Sequence, residues 1–356
     1  MLLEGVQRGA FPAACAEVGS SDRVQWRAAF GRLTHASDGA EADADTIFDL
    51  ASLTKVIATT TLVMRALDDG LLRLDDRVAK WIGEWRGSDR EHVTLHDLLA
   101  HCSGLTAYLP FFRDYTGRTE FQQAISALPL EYEPRSKSIY SDLGFILLGF
   151  IVEDVRARNA NGHGTFDPSG GFATQFRKIA SLVTNQPLTF HPPREWRIRV
   201  APTEHDPWRG RTLVGEVHDE NAWALGGVAG HAGLFGTAGA VGAFARAALH
   251  TLRGQPLLAK TETMRLFAKR TAIPGSSRAL GWDTMLPTSS CGTLMSPTAI
   301  GHTGFTGTSL WIDWERDLYV VLLTNRVHPT RDNQLISEIR PRFHDAVMAA
   351  IANSQL

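Results

Sequence analysis

Phe48-Asp-Leu-Ala-Ser52-Leu-Thr-Lys55-Val-Ile-Ala-Thr-Thr-Thr-Leu-Val-Met-Arg-Ala-Leu-Asp-Asp-Gly70 is the stretch on which the reading of this chain turns. Val56, Ala58, Leu62, Val63, Ala66 and Leu67 recur at spacings that suit a mostly buried helix, and Gly70 supplies a stop. Residues three apart on a helix share a face, so the Lys55 amine comes back beside the Ser52 hydroxyl. A hydroxyl at a helix N-terminus also sits at the positive end of the peptide dipoles, where a developing alkoxide is favoured. An N-capping serine followed by a solvated lysine would leave the same trace. Two further words, Tyr140-Ser-Asp142 and His302-Thr-Gly304, decide between the readings.

Tyr140 is one of five tyrosines and stands just before the apolar run Leu143 to Val152, which places its phenol at a helix entrance. His302-Thr303-Gly304 is expected to precede a strand by one turn, with Gly301, Gly304 and Gly307 small enough for a substrate to lie against the strand edge. In this order, a hydroxyl, an amine, a phenol and a glycine-flanked strand are the parts of a nucleophilic serine site.

Outward from these words, Phe11 to Val18 and Val24 to Leu33 read as a hairpin around Gly-Ser-Ser-Asp, after a short amphipathic N-terminal helix. Thr308 to Asp313 and Leu318 to Thr324 read as a second hairpin around Trp-Glu-Arg-Asp, followed by a closing helix from Asn333 to Ile351. Both chain ends therefore build an antiparallel sheet with helices on it. Helical periods recur at Leu95 to Ala100, Phe121 to Ala127 and Asp142 to Arg156. Asn159 to Pro207, rich in Gly, Pro, Asn and Arg, reads as a surface excursion with one helix near Phe172 to Thr184. The expected fold class is α+β: a sheet domain from residues 1–56 and 226–356, an inserted all-helical domain from 57–225, and a cleft between them.

At 356 residues the chain is long enough for this arrangement. Lys and Arg number 36 against 38 Asp and Glu, a net charge of −2, so no basic excess invites nucleic acid. The longest apolar stretch, Leu143 to Val152, is about half a bilayer span, so no membrane partner is expected. The N-terminus offers an acid where a signal peptide would carry positive charge, and the expected address is cytoplasmic. Cys15, Cys102 and Cys291 are read as free thiols. His96 and His101 are five apart, off a common helix face, and H-E-x-x-H is absent, so neither a metal nor a cofactor is expected. G-x-S-x-G and a P-loop are absent too.

With the segments Thr94 to Leu105, Gly226 to Phe235 and Gly301 to Thr308, the three words resemble the serine β-lactamase-like superfamily, in its class C β-lactamase, D-Ala-D-Ala carboxypeptidase and family VIII esterase group. The resemblance implies Ser52 as nucleophile, Lys55 as the amine that helps take its proton, and Tyr140 as the second acid or base. It implies an oxyanion hole from the backbone N–H groups of Ser52 and Phe305, the latter on the strand, and substrate contacts from Asp142, His302, Thr303 and Gly304. Many relatives have Asn where this chain has Asp142, and the β-lactamases have Lys where it has His302. A neutral imidazole does not replace a permanent cation. The expectation is a serine hydrolase of esters or peptide-like amides with weak or absent β-lactamase activity. Its alternatives are a cell-wall peptide amidase or D-Ala-D-Ala carboxypeptidase, or a scaffold that acylates once without turnover. His218-Asp-Glu-Asn221 and His231 are expected to brace the cleft wall.

Overall fold

The computed structural model describes residues 1–160 and 171–354. In chain order it contains α1 (Leu2–Gln7), β1 (Ala13–Gly19), β2 (Val24–Gly31), β3 (Phe48–Asp49), α2 (Thr61–Asp68, preceded by a wide π turn over Lys55–Thr60), α3 (Leu95–Leu99), α4 (Gly117–Ala127) and α5 (Asp142–Ala160). There follow α6 (Phe172–Val183), β4 (Leu188–Phe190), β5 (His205–Asp206), β6 (Arg211–Thr212), α7 (Glu220–Ala224), β7 (Leu234–Gly236), α8 (Ala238–Leu252) and α9 (Thr261–Ala268). The chain closes with β8 (Asp283–Thr284), β9 (Ile300–Thr303), β10 (Ser309–Asp313), β11 (Leu318–Thr324) and α10 (Ile336–Ser354).

One antiparallel sheet, in the order β2-β1-β11-β10-β9-β8, is drawn from the two ends of the chain. Its period-2 alternation feeds two cores. Tyr319, Val321 and Leu323 of β11 face α8, whereas Leu318, Val320 and Leu322 face α1 and α10. Every residue of β11 is buried, as a strand covered on both faces requires. Glu17 of β1 is buried among Arg27, Arg246 and Tyr319, whose N–H and O–H groups satisfy its carboxylate.

The segment between the sheet halves packs α2 against α5 and α3 against α5. Leu143, Phe145, Ile146, Leu147, Leu148, Ile151, Val152 and Val155 of α5 are all buried. Gly149 of α5 lies against Gly230, where an added Cβ would come 2.9 Å from that backbone, so the chain at 230–231 is pressed onto the helix.

The segment is not all helical. Leu188–Phe190 pairs with β7, which also pairs with β3, in a three-stranded sheet, and β5 with β6 forms a two-stranded one. These strands are two or three residues long, too short for alternation to reveal. The excursion from Asn159 to Pro207 is thus partly core, with Leu188 and Phe190 buried. Its stretch 161–170 lies outside the described residues. Cys15, Cys102 and Cys291 are buried and free. Among the described residues no helix is long and apolar enough to cross a membrane.

Candidate active site

Ser52 stands at the mouth of the turn that enters α2, closed by the Lys55 N–H donating to the Ser52 carbonyl at 3.0 Å. Just before it, Ala51 is held at φ +46°, a left-handed conformation that is strained for a residue with a Cβ. The surroundings fix it there. Asp49 Oδ1 accepts the Ala51 N–H at 2.8 Å, and Thr54 Oγ1 donates to the Ala51 carbonyl at 2.6 Å. From the β9–β10 turn, Thr306 Oγ1 donates to the Asp49 carbonyl at 2.7 Å and Thr308 Oγ1 to the Leu50 carbonyl at 3.0 Å. Asp49 Oδ2 accepts the His218 N–H at 2.7 Å, which ties the far wall to the same carboxylate. Burial pushes the Asp49 carboxyl above its usual range, against the pull of those amides.

Lys55 is fully buried. Its Nζ donates to Ser52 Oγ at 2.9 Å and to the His231 carbonyl at 3.2 Å, and lies 2.7 Å from Asp142 Oδ1. Burial favours the free amine, but the Asp142 carboxylate and Tyr140 outweigh it, so the ammonium is favoured. Asp142, expected to meet substrate, lines the cleft with one oxygen already committed to Lys55.

The Tyr140 ring lies 4.8 Å from Lys55 Nζ, with Arg278 on it at 4.9 Å and the imidazoles of His101 and His302 at 4.7 and 5.6 Å. Its hydroxyl is buried without a well-formed hydrogen bond, yet Lys55 and Ser52 are close enough to pull its pKa down against the larger upward push of burial. The phenol is therefore protonated at neutral pH. His101 Nδ1 accepts the Ser141 N–H at 3.0 Å, and His302 Nδ1 donates to the Thr303 carbonyl at 2.8 Å. Burial, then Arg278 and Lys55, hold both imidazoles neutral.

His302 lies on β9 itself rather than one turn before a strand. Its partner across the ladder is Leu310, whose side chain belongs to the core on the α8 face, so His302 points to that face as well. Phe305 is not on a strand: it occupies the turn between β9 and β10, and its side chain is half-exposed. Among the described residues, no acceptor is hydrogen-bonded to the backbone N–H of Ser52 or Phe305, so both remain available as donors. The glycines of this region abut protein rather than leaving space for a ligand. A Cβ on Gly301 would meet Trp311, and one on Gly304 would lie 2.6 Å from the Leu50 carbonyl.

Ser52, Tyr140, Asp142, His302, Thr303 and Gly304 line one cleft of about 700 Å³, with Lys55 beneath it. Its wall is braced by hydrogen-bonded imidazole–carboxylate contacts and by an arginine between two carboxylates. His218 Nε2 lies 2.9 Å from Glu204, Arg331 spans Glu204 and Glu220, and His231 Nε2 lies 2.8 Å from Asp219. Against the upward push of burial, His218 and Arg331 bring Glu204 down to about 2. Asn221 holds the Leu109 carbonyl and the Phe112 N–H.

Away from the cleft, His96, Asp97 and Cys102 approach within 4.8 Å of one another. Arg135 and Thr94 occupy the Asp97 oxygens, and burial pushes the Cys102 thiol up to about 12, so this trio does not suit a metal. The sequence reading gave no role to Asp49, Arg278, Arg326 or Arg340, and weighed His101 only as a metal ligand. Only Asp49 left a local signal, an Asp two residues before a strained turn amide. The others arrive from distant segments.

A family model described as Beta-lactamase matches residues 2–340. A protein of Escherichia coli (strain K12) named "Putative D-alanyl-D-alanine carboxypeptidase" is 33% identical over 329 residues, covering 83% of this chain and 72% of that protein. One of the same name from Salmonella gallinarum is 32% identical over 321 residues, covering 81% and 71%. Among solved structures, "EstCE1, a hydrolase with promiscuous acyltransferase activity" aligns over 95% of both chains with a TM-score of 0.70 at 20% identity. Simvastatin synthase (LovD) from Aspergillus terreus aligns over 98% of this chain and 96% of its own with a TM-score of 0.73 at 18% identity. At these identities the structural likenesses speak for the fold.

Proposed function

The chain belongs to the Beta-lactamase family and is a serine hydrolase, and from that premise we propose that it hydrolyses a small carboxylic ester or peptide-like amide through an acyl-enzyme on Ser52. The observation that carries this reading is the Ser52 hydroxyl 2.9 Å from a buried amine, under a buried phenol, at the floor of an open cleft.

The resting Lys55 is an ammonium and has no room for another proton. Asp142, at 2.7 Å, is the group that can relieve it: transfer of one proton from Nζ to the carboxylate leaves a neutral amine and a neutral acid, a pair that a desolvated site tolerates. Lys55 then takes the Ser52 proton as Oγ attacks the substrate carbonyl carbon. The oxyanion is received by the N–H groups of Ser52 and Phe305, each such donor lowering the barrier by about 3 kcal/mol. Tyr140 gives its proton to the leaving oxygen or nitrogen as that bond breaks, and the phenolate left behind sits beside the Lys55 ammonium. In the second half Tyr140 takes a proton from water, which attacks the acyl carbon. Ser52 Oγ leaves with a proton from Lys55, and Asp142 returns its own to the amine.

Neutral His302 offers no permanent cation to a β-lactam carboxylate, which supports esters and amides over β-lactams. The names of the relatives favour a terminal D-alanine amide as the second substrate class. Hydrolysis of p-nitrophenyl butyrate, nitrocefin and a D-Ala-D-Ala peptide by the purified protein ranks the three. Ser52→Ala should lower ester turnover by at least ~10³-fold and abolish the acyl adduct seen by mass spectrometry. Turnover retained by that variant would refute the assignment.

A further inference from the structure

One of the two proposed oxyanion donors sits in the turn between β9 and β10, and the turn alone does not fix it. The Gly307 N–H donates to the Gly304 carbonyl at 3.0 Å, and the Gly304 N–H to the Thr308 carbonyl at 2.8 Å. A trans peptide points its N–H away from its C=O, so with the Gly304 carbonyl turned inward the Phe305 N–H faces out of the turn. The next two carbonyls, those of Phe305 and Thr306, are both held by Arg326, two residues past the end of β11.

Arg326 is 4% exposed and donates its backbone N–H to Thr306 at 3.0 Å and Nε to Phe305 at 2.8 Å. Its guanidinium also lies 4.5 Å from the centre of the Phe305 ring, on which the His218 imidazole stacks at 5.7 Å. Its stem runs beside Gly307, where an added Cβ would come 2.7 Å from Arg326 Cγ. From Nη1 it reaches the carbonyls of Arg331 at 3.0 Å and Asn333 at 2.9 Å, on the segment that leads into α10. The base from which it reaches is anchored: the neighbouring Asn325 accepts the Ala13 N–H at 3.0 Å and donates to the carbonyls of Leu33 and Pro202, each at 2.9 Å. Among the described residues no carboxylate is ion-paired with Arg326, so its donors serve backbone carbonyls and its charge faces an aromatic ring. The planar fork of a guanidinium fixes the angle between those bonds, which a point charge on a flexible stem does not.

We propose that Arg326 is a positioning residue for the reaction: by holding both the carbonyl and the ring of Phe305, it keeps the N–H of that residue aimed as an oxyanion donor. It acts through Phe305 and not on substrate. Misaiming such a donor forfeits part of the roughly 10²- to 10³-fold in rate that deleting one costs. This inference deepens the hydrolase reading and rests on it for the word oxyanion.

Exchanging the carbonyl oxygen of the substrate for sulfur reads the donor, because sulfur is a weak acceptor and gains far less from an N–H as charge develops on it. The pair is p-nitrophenyl butyrate and O-p-nitrophenyl thionobutyrate. In Arg326→Gln the ratio of kcat/KM for the oxygen ester to that for the sulfur ester should fall at least ~10-fold, through kcat of the oxygen ester more than through KM. A general loss of folded protein lowers both esters alike and cancels in the ratio. Arg326→Lys, which keeps the charge and loses the fork, should give a ratio between the two, and it is read in the same way if Arg326→Gln does not fold. Equal losses on both esters would make Arg326 a structural prop, and that result, or an unchanged rate on both, overturns the proposal. Where the wild-type protein turns over neither ester, the hydrolase reading fails by itself and hydrogen exchange carries the test. Faster exchange in Arg326→Gln confined to peptides spanning Gly304 to Thr308 then supports Arg326 as the holder of the turn, and unchanged exchange there overturns it.

Discussion

A buried lysine moves protons only if something governs its charge, and here the governor is Asp142. Because the carboxylate at 2.7 Å both holds Lys55 as an ammonium and can accept its proton, the amine is freed without losing a proton to solvent. Asp142→Asn removes that acceptor, so Lys55 must release its proton to solvent, and kcat/KM should fall at neutral pH and climb with pH as the free amine becomes more abundant. A pH–rate profile checks this, and a profile unchanged from wild type would show that Asp142 does not govern the charge of Lys55. Tyr140→Phe deletes the proposed proton donor while keeping the ring between His101 and His302. Turnover should fall about 10²- to 10⁴-fold. The loss should be larger for an alkyl ester, whose alkoxide needs the proton, than for a p-nitrophenyl ester, and equal losses would count against leaving-group protonation. Lys55 and Tyr140 were legible because each sits in a short word whose residue types already name a chemistry. His101 and Arg278 were not, since nothing local distinguishes a histidine or arginine that folding carries against a phenol from one that faces water.

At the scale of elements, the β9–β10 turn and the segment entering α2 form one clamp: Thr306 and Thr308 hold the carbonyls of Asp49 and Leu50, and Gly304 permits the contact. Gly304→Ala would put a methyl 2.1 Å from Thr308 Oγ1 and 2.6 Å from the Leu50 carbonyl, where backbone must move. The expected outcome is a lower Tm together with a drop in kcat larger than any rise in KM, because the proposed oxyanion donors, Ser52 and Phe305, sit on the two sides of the clamp. A variant with wild-type Tm and kcat would show the clamp to be slack. The two hairpins were readable from period-2 alternation, and α1, α5 and α10 from apolar runs at helical spacing. By contrast, α8 is buried on almost every side by Ala238 to Leu252 and has no polar stripe to announce it, and β9 is four residues with a glycine in it. The same brevity explains why His302 reads from sequence as preceding a strand when it lies on one.

On the scale of the whole molecule, the buried imidazoles make folding itself a pH-dependent equilibrium. His101, His302 and His344 are all buried, and burial, reinforced by nearby cations, holds each below the ordinary 6.5, His344 down to about 3. A base whose folded pKa is depressed binds more protons unfolded than folded, so stability rises with pH up to about 6.5 and is lost on acidification below it. For His344 the window runs from about 6.5 down to about 3, with a slope of up to about 1.4 kcal/mol per pH unit for each such imidazole. His344 sits where α10 meets β10, its Nε2 3.3 Å from Ser309 Oγ, so charging it loosens the helix that carries Arg340 from the sheet that carries His302. Urea unfolding at pH 7.0, 6.0 and 5.0 should therefore give falling stabilities. In His344→Gln the slope over that range should be flatter by about one proton, and the two proteins should unfold in parallel if residue 344 is not the group being titrated.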